Sequence, residues 1–315
     1  MGEQIRLDRT TTDVPPPSAG RALAGRTPDE LRRVAVTVAS EAALHVAEAR
    51  TRSAGGDGRI RVEATKSSEV DPVTAIDRSS ERLIRRRLGE LAPYDAVLGE
   101  EDGGVLAQDR VTWVVDPVDG TVNLVYGIPA SAVSMAACVD GVPVAGAVAD
   151  IARKRVYPAC TGGDLVIDEA DTAGTAGTAG TADRERSALP ELSSLSSALV
   201  GTGFSYLASR RRAQAGLLGD LLPEIRDIRR IGSAALDLCA VADGALDAYY
   251  EHGLGPWDHA AGRLIAARAG AVVHRPPLER GYDEGVGVLA AVPGIVDDLA
   301  ERVLATIFPA PVDVP

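Results

Sequence analysis

From residue 197 onward the chain alternates short apolar runs with segments of helical length, and this alternation restricts the possible folds more than any other feature. The runs SALVGTGF, IRRIG, ALDAYYE, AVVHR and GVGVLAAV read as strands. Between and after them RRAQAGLLGDLLPEI, SAALDLCAVA, WDHAAGRLIAARAG and a last segment near 294–306 read as helices. A chain built this way must sandwich sheets between helical layers, so the expected class is α/β, with mixed sheets and α+β layering.

The first half carries a different set of signals. TPDELRRVAVTVASEAALHVAEAR has Thr27 as a cap, Pro28 at the first helical position and Glu30 in capping-box position. A second helix is expected over 77–91, strands over 96–101 and 111–116, and a hairpin in 131–150 turning at Asp140-Gly141. Residues 1–26, rich in Pro, Thr and charge, read as a disordered tail. Residues 161–197 contain the repeat DTAGTAGTAGTAD and read as a flexible low-complexity insertion. It divides an N-terminal half (27–160) from a C-terminal half (198–310).

Composition excludes several functions. Aromatics are 3% of the chain, so its core must be mostly Ala, Val, Leu and Ile. The net charge of −12 argues against a nucleic-acid partner, which requires clustered Lys and Arg. The three cysteines show no CxxC spacing and read as buried small hydrophobes rather than disulfide or zinc ligands. No apolar run reaches the ~18 residues of a membrane span, and the N-terminus lacks an apolar signal region. A soluble cytoplasmic protein is the expectation.

Acids stand where apolar segments end: Asp77, Glu100, Glu101, Asp116, Asp119 and Asp258. Carboxylates beside apolar segments are costly unless paired or metal-bound. No basic residue is interleaved with them, and an oxygen-only set suits hard cations such as Mg²⁺. In DPVDGT, Pro117 is expected to set a turn that converges Asp116, Asp119 and the Val118 carbonyl on one ion. Gly120 and Thr121 then open a loop with N–H groups suited to phosphate oxygens. Each piece also has a plain structural reading. Asp116 and Asp119 fit a turn or cap, Glu100-Glu101 a solvated pair, Asp258 an N-cap worth ~1 kcal/mol, and Trp257 a core aromatic.

Their joint occurrence, in this order, resembles the inositol monophosphatase family, the lithium-sensitive, magnesium-dependent phosphatases. The resemblance is carried by Gly99-Glu100-Glu101, by Asp116-Pro117-Val118-Asp119-Gly120-Thr121 with Asn123, and by Trp257-Asp258-His259-Ala260-Ala261-Gly262. Upstream, Lys66-Ser67 and Asp71-Pro72-Val73-Thr74-Ala75-Ile76-Asp77 match a further family segment, and 229–251 matches its C-terminal half.

The resemblance implies an αβαβα sandwich of the sugar-phosphatase type with two mixed sheets. It implies that Glu100, Asp116, the Val118 carbonyl, Asp119 and Asp258 hold two or three Mg²⁺ ions, with Asp77 an outer partner through water. Glu100 and Thr121 would orient and activate the attacking water. Asp119, Gly120, Thr121, Gly232, Ser233, Ala234 and Glu251 would bind substrate, Glu251 through polyol hydroxyls, and Lys66 would support the mobile metal-binding loop. The implied reaction is hydrolysis of a small phosphate monoester by metal-activated water, in a homodimer. Inositol monophosphate is the default substrate; histidinol phosphate, fructose bisphosphate and 3′-phosphoadenylate are alternatives, as is a non-catalytic regulatory protein of the same fold. The chain departs from the family pattern at Val122 and Leu124, in CTGGDLVIDEADTAG and in HRPPLERGYDEG. Altered packing rather than lost activity is expected at the first two.

Overall fold

A computed structural model describes residues 8–10, 23, 25–54, 59–60, 64–65, 72–73, 75–162, 189–278 and 284–304. Helix α1 (Pro28–Ser53) starts where the sequence placed it. The Glu30 N–H donates to Thr27 Oγ1 (3.2 Å) and the Thr27 N–H donates to Glu30 Oε2 (2.7 Å), closing the capping box. Helix α2 (Ala75–Leu91) packs beside it on one face of a five-stranded sheet.

That sheet has the order β4 (Ala96–Gly99), β5 (Thr112–Asp119), β6 (Ala132–Val139), β7 (Val142–Asp150), β8 (Arg155–Cys160). Strands β4 and β5 run parallel and the other pairs antiparallel. The β6–β7 hairpin turns at Asp140 (φ +50°) and Gly141 (φ +72°), the left-handed pair that a two-residue turn requires. A short ribbon, β2 (Ala64–Thr65) with β3 (Pro72–Val73), lies before α2 in the chain.

The second sheet joins β1 (Asp8–Thr10), β12 (Val272–Arg275), β13 (Gly287–Ala291), β11 (Ala248–His252), β9 (Leu199–Thr202) and β10 (Asp227–Arg229), in that order. Strands β10, β9 and β11 are parallel, while β13, β12 and β1 add antiparallel pairs. Helices α5 (Ala234–Ala242) and α6 (Pro256–Arg268) lie between the two sheets. Helices α4 (Ala208–Leu221) and α7 (Val296–Val303) cover the outer face of the second.

The result is the five-layer αβαβα sandwich. Four apolar seams hold it, with Val38, Ile84, Val115 and Met135 in the first, Ala136, Val148, Ala235 and Leu264 in the second. Leu238, Tyr249, Ala266 and Val288 fill the third, and Leu221, Tyr250, Leu289 and Leu299 the fourth. Successive residues of β11 therefore serve opposite seams, as the period of a strand dictates. All three cysteines are free and buried. Among the described residues no helix is long and apolar enough to cross a membrane.

Three local readings change. Strand β5 does not end at Asp116 in a turn: it continues to Asp119 through a bulge. Asp116 pairs with Ser134 and Asp119 with Ala132, so β5 carries one residue more than β6 between these pairs. Pro117 has no N–H to give the ladder, which is why the irregularity falls there. Strand β8 was not anticipated, nor was β1, which adds Asp8–Thr10 to the second sheet inside the stretch read as a tail. The strand read at 228–232 is shorter and earlier, leaving Ile231 and Gly232 to the loop before α5. The low-complexity repeat and Lys66 lie outside the described residues.

Candidate active site

Position along a strand decides where Asp116 and Asp119 point. Residues three apart on a regular strand face opposite sides. The extra residue of the bulge cancels that and brings both carboxylates to one side. There they meet Asp258 of α6: one carboxylate oxygen from each of the three lies within 4.8 Å of the others. The three acids open onto a cavity of about 350 Å³, whose wall also includes Glu100, Val118, Gly120 and Thr121.

Each acid is held by short hydrogen bonds. Asp116 Oδ1 accepts from the Val118 N–H (2.9 Å). Asp119 Oδ2 accepts from the Ser233 hydroxyl (2.6 Å) and from the Ala235 N–H (2.7 Å), so it sits at the N-terminus of α5. Asp258 Oδ2 accepts from the Gly255 N–H (2.7 Å), capping α6 while facing the cavity. Asp258 is therefore not the N-cap the sequence suggested: Gly255 is, and Asp258 caps α6 from the third helical position.

The electrostatics of the cluster are unbalanced. Burial raises Asp119 to about 6 despite its donors, and the Glu100 charge adds to the rise. Burial, followed by the charges of Glu100 and Asp119, pushes Asp258 well above the ordinary range. Several carboxylates converging without a basic partner inside the cluster form an oxygen donor set that a hard divalent cation would complete. The residues present fit Mg²⁺.

The loop after the bulge is set by close contacts. Gly120 adopts φ +87°, and a Cβ there would lie 2.8 Å from the Ala130 carbonyl oxygen. Helix α3 (Thr121–Tyr126) follows at once, and the Thr121 hydroxyl donates to the Val118 carbonyl (3.0 Å). That carbonyl keeps a second lone pair for another partner. Leu124 is buried in the first apolar seam, which accounts for the departure at this position as a packing change.

Gly232, Ala234 and Glu251 line the same cavity. Ser233 does not: it is buried, caps α5 by accepting from the Leu236 N–H (3.3 Å), and holds Asp119. Burial raises Glu251 to about 7, and its Oε2 accepts from the Tyr249 hydroxyl (2.7 Å). Asp77 is buried in the first turn of α2 and is not part of the three-acid cluster. Glu100 lines the cavity outside that cluster. Trp257, read as a core aromatic, packs half-buried against the second apolar seam and also lines the cavity.

Several functional supports escaped the sequence. Glu81 is fully buried and accepts from the Glu101 (2.8 Å) and Asp102 (3.1 Å) N–H groups, shaping the loop that carries Glu100. Gly99 exists to admit it, since a Cβ there would lie 2.2 Å from Glu81 Oε1. The Ser80 hydroxyl donates to the Pro117 carbonyl (3.0 Å), and the Asn123 amide to the Ala130 (2.8 Å) and Ile231 (2.9 Å) carbonyls. The spacing of Asp77, Ser80 and Glu81 on one face of α2 was the available signal.

A profile of the inositol monophosphatase family matches residues 27–307. The chain belongs to the inositol monophosphatase family. Within this family it is 51% identical over 287 residues to the inositol-1-monophosphatase SuhB of Mycobacterium tuberculosis, covering 86% of this chain and 92% of that protein. A solved structure of Mycobacterium tuberculosis SuhB superposes with a TM-score of 0.70 at 46% identity, covering 88% of this chain and 97% of that one. A more distant relative, the Nus factor SuhB of Pasteurella multocida, is 33% identical over 251 residues, 79% of this chain and 88% of its own length.

Proposed function

We propose that this chain is a Mg²⁺-dependent phosphoric monoester hydrolase that converts inositol 1-phosphate to inositol and phosphate. The observation that carries the reading is the convergence of Asp116, Asp119 and Asp258 within 4.8 Å at the wall of a polyol-sized cavity. Asp116, Asp119 and Asp258, with Glu100 and the Val118 carbonyl, would hold two or three ions. Bound Mg²⁺ would supply positive charge for the phosphate and leaving oxygens and acidify water.

The chain's own groups do the rest. Gly120 and Thr121 offer backbone N–H groups to phosphate oxygens at the start of α3. The Thr121 hydroxyl gives its proton to the Val118 carbonyl, which leaves the threonine oxygen as an acceptor toward the attacking water. Glu100 lines the same wall and in this reading would take that water's proton. Glu251, with Gly232 and Ala234, receives the polyol. Asp77 acts from behind the cation site, and Lys66 supports its loop. A cytoplasmic homodimer is the form in which this reading places the enzyme.

The relatedness to a Nus factor favours a second reading, a protein acting through macromolecular partners. The acid set speaks for catalysis, because a fold kept only for binding has no need of Glu100, Asp116, Asp119, Thr121 and Asp258 together. A phosphate-release panel over inositol, histidinol, fructose and adenosine phosphates, with Mg²⁺ and with chelator, tests this. Release from inositol 1-phosphate only with Mg²⁺ is expected; release from none of the panel would overturn the enzymatic reading.

A further inference from the structure

The polyol end of the cavity contains a device that the acid motifs do not announce. Tyr249 and Glu251 are two apart on β11, so their side chains leave the same face of the strand. Tyr249 is fully buried, yet its hydroxyl donates to Glu251 Oε2 at 2.7 Å. On the other side the carboxylate lies flat against Gly203: a Cβ there would sit 1.8 Å from Oε2 and 2.5 Å from Oε1. No other side chain is placed to give Oε2 a hydrogen bond among the described contacts.

We propose that Tyr249 is a positioning residue for substrate: its hydroxyl, with the bare backbone of Gly203, fixes Glu251 so that Oε1 accepts from the hydroxyls of a polyol phosphate. The inference rests on the polyol-phosphate reading above and adds to it a source of discrimination. A glutamate side chain has three rotatable bonds, and ordering it on binding would cost affinity. Here the ordering is built into the fold. Oε2 is committed to the tyrosine, Gly203 blocks one direction of swing, and Oε1 is left for the ligand. Glu251 lines the cavity outside the three-acid cluster, so in this reading the device acts on the alcohol part of the substrate and not on phosphate.

The test is Tyr249→Phe, which deletes one oxygen and keeps the ring in the apolar seam. Steady-state hydrolysis of inositol 1-phosphate gives KM and kcat, and inhibition by inorganic phosphate, which fills only the phosphate end, gives Ki. The expected result is KM raised about tenfold, the loss of one hydrogen bond to a charged acceptor, with kcat and the phosphate Ki within twofold of wild type. Glu251→Gln should raise KM as well, and adding Tyr249→Phe to it should change KM by less than twofold. Equal changes in KM and in the phosphate Ki, or an unchanged KM in Tyr249→Phe, would overturn the proposal while leaving the phosphatase reading intact. Absence of turnover by the wild-type protein would overturn both.

Discussion

Asp119, buried, and Glu251, half-buried, line one cavity, and they are held in opposite ways. Asp119 takes two donors on one oxygen, from Ser233 and Ala235, at a helix start, and stands among other acids. Glu251 takes one donor, from Tyr249, and stands against the backbone of Gly203 with no acid in hydrogen-bonding contact. Asp119 is raised to about 6 and Glu251 to about 7, in both cases first by burial. The same desolvation therefore serves two purposes. Where acids converge, it creates demand for a cation. Where a carboxylate outside the cluster keeps a single donor, it creates a strong hydrogen-bond acceptor for a neutral hydroxyl.

Breaking the cation end should have the largest effect. Asp119→Asn keeps the shape and removes a charge from the three-acid cluster, so turnover should fall about a thousandfold or more, with the circular dichroism spectrum unchanged. Ser233→Ala removes the hydroxyl donor of Asp119 and the cap of α5. Mg²⁺ affinity should fall about ten- to a hundredfold, read by calorimetry, with ~1 kcal/mol lost in stability.

At the polyol end the effects should be smaller and confined to KM. Gly203→Ala drives a methyl group into Glu251, so KM for inositol 1-phosphate should rise and stability fall by about 1–3 kcal/mol, seen as a lower urea midpoint. The smallest effect concerns Asp237, buried on α5 with Oδ1 lacking a hydrogen bond. Burial, then the charges of Glu251 and Asp119, pushes its carboxyl well above the ordinary range. A carboxyl raised in the folded state binds its proton more tightly there than when unfolded, so it penalises stability increasingly as pH rises above the ordinary Asp range. Asp237→Asn should leave Tm near wild type at pH 4 and raise it by ~4 °C at pH 7, in the metal-free protein.

What the sequence disclosed follows the same division. The alternation of strands and helices, the capping box at Thr27 and the Asp140-Gly141 hairpin are local signals, and apart from the strand read at 228–232 they stand close to where they were read. The acids at segment ends were also local, because apolar runs bracket them. Glu81 and Tyr249 were not visible for a physical reason. Glu81 lies in a helix crowded with arginines and reads as solvated, and only the packing of the Gly99 loop buries it. Tyr249 reads as one more core aromatic, and its partner becomes apparent only when β11 has a face. The bulge at Pro117 was mistaken for a turn because both satisfy the missing N–H, and the difference lies in the pairing with β6. Strand β1 pairs with β12 across most of the chain length, a contact without local signature.

The central claim is that Asp116, Asp119 and Asp258 form a divalent-cation site whose protons compete with the ion. Calorimetric titration of Mg²⁺ into metal-free protein at pH 7.5 and at pH 5.0 tests it most directly. With Asp119 raised to about 6 and Asp258 pushed well above the ordinary carboxylate range, protons compete for the site at the lower pH. Mg²⁺ affinity should then be at least about tenfold weaker at pH 5.0, and Asp119→Asn should abolish most of the heat at both. Equal affinity at the two pH values, or undiminished binding by Asp119→Asn, would contradict the assignment.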